Sequence, residues 1–228
     1  MGRNIIRPNL GDLTPSPGDG SSDAGWWHIF LPRAGSLSLK LPSMKNHFET
    51  LAHYNRWANC RLYGAVANLG AAEIAAPRIG FFPSLLKTLN HLVVTDRVWL
   101  SRLSSISNPD MRALDQIVAE NFADLMALRA GVDERIIHFI DDLSPVRLSD
   151  ILVYCNMAGT PQKTPIDQVL THMFNHHSHH RGQAHAMLSG TTVSPPSLDV
   201  IVFLRERVTL GPQSKEDSFP ADGFPPHL

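Results

Sequence analysis

Residues Thr171–Leu188 read THMFNHHSHHRGQAHAML. Six of the chain's 12 histidines fall in this stretch. Pro165 stands near the start of the segment and Gly190 just past its end, which predicts a helix over 165–189. At about 100° per residue, with His172 at zero, His176 falls at about 40° and His180 at about 80°. His179 and Gln183 flank His172 on the same wheel, so one face carries four histidines and a glutamine. His177 leaves this face, and His185 points well away. Two histidines four apart on such a face can both reach one ion, each imidazole nitrogen coming within about 2.1 Å of it.

Two ligands from one helix make a labile site, so a third must come from another element. His91 is the candidate. It lies in a predicted helix over 83–105, at the edge of the stripe Leu85, Leu89, Leu92, Trp99 and Leu103, where it can point toward the histidine-rich helix. Asp96 falls inside the same stripe, and a buried carboxylate needs a partner. It either orients a histidine by accepting its second N–H or pairs with an arginine. Asn55 is likewise polar within an apolar row; it hydrogen-bonds near the site or serves as a satisfied core amide. Gln183 shares the face of His176 and either meets a ligand or caps a neighbour. Gly182 in mid-helix, about 1 kcal/mol worse than alanine, predicts close approach of another helix. Arg181, on the far side of the wheel from His172, reads as an exposed arginine, with a role at the rim or a subunit contact as the alternative. Against all this stands a plain alternative: a histidine-rich surface helix binds metal adventitiously, as a purification tag does.

Three further helical periods surround these two. They are expected over 44–69, over 115–141 and, shorter, over 198–207. A β-like run, ILVYCNM, followed by Ala158–Gly159, predicts a small hairpin or irregular excursion within 148–164. Long helices with few strands give an all-α fold, a four-helix bundle. The expected division is a disordered extension over 1–43, the bundle over 44–210 and a disordered tail over 211–228, the flanks being rich in Pro and Gly. Hydrophobic residues are 43% and charged residues 18%, with a formal net charge of -1. That balance, with scattered basic residues, argues against a nucleic-acid partner. No apolar run approaches the roughly 20 residues of a membrane span. Two cysteines far apart, Cys60 and Cys155, require no disulfide and suit a cytoplasmic setting.

These residues resemble a family. Asn175–Gln183, NHHSHHRGQ, resembles the NHxxxHRGQ signature of the DinB-like (DinB/YfiT) proteins, a group of metalloenzymes distinct from the DNA polymerase of similar name. Leu89–Leu103, LNHLVVTDRVWLSRL, is similar to that family's second-helix motif, with a histidine, an aspartate five on and a tryptophan eight on. HYNRWANCRLYGAV from His53 and SLDVIVFLRE from Ser197 resemble its opening helix and closing segment. The likeness spans roughly residues 44–206. It implies an up-down-down-up bundle, often a homodimer. It also implies one divalent metal ion (zinc, nickel, iron or manganese) held by His91, His176 and His180. His172, His177 and His179 are not implied as ligands, and residues 1–43 have no counterpart. The resemblance further implies a metal-dependent thiol S-transferase or detoxification enzyme, or an isomerase-type enzyme. Its partners would be a small-molecule electrophile and a low-molecular-weight thiol. A metal-dependent hydrolase and a non-catalytic metal-binding stress protein are the alternatives. A zinc protease of the HExxH kind is disfavoured, because His177 and not a glutamate follows His176.

Overall fold

The computed structural model describes residues 43–105 and 112–210. The expected flanking segments, apart from Ser43, lie outside the described residues. The order is α1 (Met44–Val66), α2 (Ala71–Ala75), α3 (Leu85–Leu103), α4 (Phe122–Asp142), β1 (Ile151–Cys155), β2 (Pro161–Pro165), α5 (Ile166–Leu188) and α6 (Val200–Leu210), with a 3-10 turn at Pro145–Ser149. Among the described residues the fold is all-α apart from one hairpin. No helix among the described residues is long and apolar enough to cross a membrane.

The four long helices make a square in which α1 packs on α4 and α5, and α3 packs on the same two. Side-chain contacts set their directions. Lys45 at the start of α1 donates to the Asp141 carbonyl at the end of α4, whereas Phe48 stacks near Phe174 and Asn55 meets His177, both progressing along α5. Thr88 contacts Met187 while Trp99 contacts His172, so α3 runs against α5. The path is up-down-down-up. Leu62, Leu85, Leu89, Leu125, Ile136, Leu170 and Leu188 fill the shared core. α6 closes one flank by setting Phe203 against Trp57 and Ala58.

Hydroxyl and amide side chains start three of these helices by taking up free amide N–H groups. Ser43 accepts from Asn46 N, Ser84 from Lys87 N and Asn121 from Asp124 N. β1 and β2 form an antiparallel pair from Ile151↔Pro165 to Cys155↔Pro161. The Asn156 side chain closes their turn by accepting from Ala158 N and Thr160 N. Gly159 sits there at φ 79°, a conformation that favours glycine.

One boundary differs from the sequence expectation for a physical reason. The third long helix begins at Phe122, not near 115. Asn90 on α3 accepts from Val118 N and Ala119 N and donates to the Ala119 carbonyl. Those backbone groups are therefore engaged away from a helix, and α4 can start only after them, at its Asn121 cap. The first helix also stops early, at Val66, and the short α2 follows it.

Candidate metal centre

α3 and α5 bring His91, His176 and His180 to one point. A ligand nitrogen from each lies within 4.8 Å of the other two. The Nε2 atoms of His91 and His176 are 3.2 Å apart, and those of His180 and His176 are 3.1 Å apart. Two nitrogens about 2.1 Å from one ion at a tetrahedral angle stand roughly 3.4 Å apart, so the spacing suits a shared ion.

Tautomers decide between an ion and a simple hydrogen-bonded cluster. His91 Nδ1 lies 2.7 Å from the Leu114 carbonyl oxygen, which can only accept, so Nδ1 carries the hydrogen. His180 Nδ1 donates to Gln183 Oε1 at 2.7 Å. In their neutral forms both rings therefore turn an Nε2 lone pair toward His176 Nε2. That atom has one hydrogen or one lone pair and cannot satisfy both neighbours. A divalent ion accepting all three lone pairs would resolve the conflict. The Nδ1–H donors to a carbonyl and an amide are the arrangement that fixes metal-binding imidazoles.

Burial, then the neighbouring imidazoles, pulls the pKa of His176 down to about 3. Burial likewise lowers His180 to about 4, its bond to Gln183 opposing. His91 is lowered by burial, with the Leu114 contact opposing. All three rings are thus held neutral near pH 7, the form that binds metal. His91 and His180 are buried and His176 is half-buried, so the cluster opens outward through His176. Phe82 stacks on His91 with ring centres 4.2 Å apart and covers one side.

The other residues singled out in the sequence divide into two groups. Gln183 touches the triad through His180 and also donates to His179 at 3.1 Å. His172 and His179 are exposed, and neither contributes an atom to the cluster. Asp96 and Asn55 do not touch the three histidines; they meet His177. Its Nε2 faces Asp96 Oδ1 and its Nδ1 faces Asn55 Oδ1. Arg129 donates to Asp96 Oδ2 at 2.6 Å, and its Nη2 lies 2.9 Å from Asp133 Oδ1. Asn55 and Asn59 donate to Asp133, and Arg181 donates to Asn55. All of these side chains are buried. Burial works to raise the pKa of Asp96, but His177 and Arg129 outweigh it and hold its carboxyl below the usual range. Asp133 is raised, burial outweighing Arg129.

Two expectations on α5 are overturned. Arg181 is 2% exposed, not a surface arginine, because Asn55 and Asn59 receive its guanidinium. Among the described residues Gly182 meets no atom within 4 Å of where a Cβ would stand, so no described helix approaches it. The sequence reading missed His177 and Arg181 as members of a buried network. The signal was present: on the same wheel Ile166, Leu170, Met173, Ala184 and Leu188 centre on the direction of His177.

Comparison with known proteins gives the same outline. The DinB family profile matches residues 44–215. Protein DinB of Bacillus subtilis (strain 168) is 28% identical over 162 residues, covering 68% of this chain and 92% of that protein.

Proposed function

We propose, on the premise that this chain belongs to the DinB family, that it is a metal-dependent enzyme joining a low-molecular-weight thiol to a small electrophile. His91, His176 and His180 would hold one divalent ion. The observation that carries this reading is the convergence of fixed Nε2 lone pairs on a single atom of His176. A divalent ion held by three neutral imidazoles keeps its full charge and open positions, and so favours a bound thiol in its thiolate form.

The residues around it supply orientation and shielding. Leu114 and Gln183 fix two rings, and Phe82 stacks on that of His91. Among the described residues no carboxylate hydrogen-bonds to the triad. Transfer would form a sulfur–carbon bond, with the proton of the thiol lost to solvent and the leaving group departing from the electrophile.

A conjugation assay with a small thiol and an aryl halide tests the reading. Turnover that requires both metal and thiol is the expected result. Release of the halide with metal and water alone would instead favour the hydrolase, and no turnover across a range of electrophiles would favour a metal-binding protein without catalysis.

A further inference from the structure

Beside the triad a strip of aromatic rings leads away from the ion position. His172 stands 5.6 Å from His176, Trp99 stands 5.4 Å from His172, and the Arg102 guanidinium lies 4.7 Å over Trp99, all measured to ring centres. Tyr154 on the hairpin completes the wall, edge-on to Trp99 at 5.2 Å and beneath Arg102 at 4.9 Å. His172 is exposed and Trp99 half-buried, so the strip faces outward on the side where His176 opens.

Arg102 is the unusual member. Among the described residues no carboxylate lies within ion-pair distance of it; its polar contacts there are the Cys155 carbonyl at 2.9 Å and Met157 Sδ at 3.9 Å. An arginine in the last turn of a helix often serves that helix's free carbonyls. This one instead reaches across to the hairpin, where two rings hold its guanidinium plane. Burial, opposed by Tyr154 and Cys155, lowers its pKa from the ordinary arginine value. A planar guanidinium fixed in this way presents its remaining N–H groups for paired bonds to a carboxylate or similar anion.

We infer that Arg102 anchors the anionic end of an elongated substrate whose sulfur or electrophilic end lies at the triad and whose body rests on Trp99 and His172. This rests on the metal reading above and adds the substrate's shape and charge. Links of 5.6, 5.4 and 4.7 Å bound the span from His176 to Arg102, so the substrate needs no more than the reach of about four to five extended peptide units at about 3.5 Å each. The substrate class is therefore an elongated small molecule with a carboxylate far from its reacting atom.

The test uses two thiols of equal length, mercaptoundecanoate and mercaptoundecanol, titrated calorimetrically into the full chain loaded with cobalt(II). The cobalt absorption band reports loading before any thiol is added. Wild type should bind the acid about tenfold tighter than the alcohol. Arg102→Gln should abolish that preference while leaving cobalt uptake and affinity for the alcohol unchanged, and Arg102→Lys should restore part of it. An equal preference in wild type and Arg102→Gln, or none in wild type, would overturn the anchor. Failure of wild type to take up cobalt would overturn the metal reading and the anchor together, and it is seen separately at the first step.

Discussion

Two pairs of side chains spaced four apart lie one residue from each other on α5 and have opposite environments. His176 and His180 look toward His91, with three Nε2 atoms meeting where one hydrogen on His176 cannot serve both neighbours. His177 and Arg181 look the other way, into a buried network where oxygen acceptors face both nitrogens of His177. A shift of one residue turns a side chain by about 100°, which separates a ring free to bind an ion from a ring that is part of the frame. The comparison teaches that histidine spacing alone does not identify a ligand. What identifies it is the group on the second nitrogen and the lone pair left over on the first.

The largest effect should come from breaking the buried network. Asp96→Ala leaves Arg129 and His177 without their shared carboxylate and should lower unfolding free energy by about 3–5 kcal/mol, read by urea denaturation of the metal-free protein. Next comes the open pair. His180→Ala should lose about one equivalent of metal per chain by elemental analysis. Gln183→Ala removes the acceptor that orients His180 and should weaken metal affinity about 10–100-fold, measured by competition with a chromophoric chelator; an unchanged affinity would mean that the 2.7 Å contact is incidental.

Acid should separate the two regions more gently. The pKa of the Asp96 carboxyl is depressed in the fold, so its contribution is present above the unfolded value of about 4 and is lost as pH falls through the lower folded value. In Asp96→Asn that contribution is missing at neutral pH. The stability gap between it and wild type should therefore narrow as pH falls below about 4, in denaturation curves of metal-free protein at a series of pH values. The smallest effect should be at His185, whose Nε2 donates to the Pro196 carbonyl at 3.0 Å, far from the triad. His185→Ala should retain its full metal equivalent.

Much of this was legible in the sequence because it rests on periodicity. The regular recurrence of apolar positions outlined the four long helices, and the spacing of His176 and His180 put both on one face. His91 stood out as a polar residue at the edge of an apolar stripe. What stayed hidden depends on partners distant in sequence. The start of α4 is set by Asn90, on another helix, engaging the backbone at Val118 and Ala119. The run before it then brings the Leu114 carbonyl to His91. No local pattern announces either bond. Arg181 was misread as exposed because arginine usually is, although its wheel position lay in the apolar sector. For Asp96 the sequence leaves open orientation of a metal-site histidine or pairing with an arginine; it pairs with Arg129, and the histidine it meets is His177, outside the triad.

The most direct test sets neighbours side by side. Metal is counted per folded chain in untagged wild type, His176→Ala and His177→Gln. The expected result is about one equivalent in wild type, essentially none in His176→Ala, and about one in the folded fraction of His177→Gln. Retention of the ion by His176→Ala, or its loss only from His177→Gln, would contradict the assignment of the open pair.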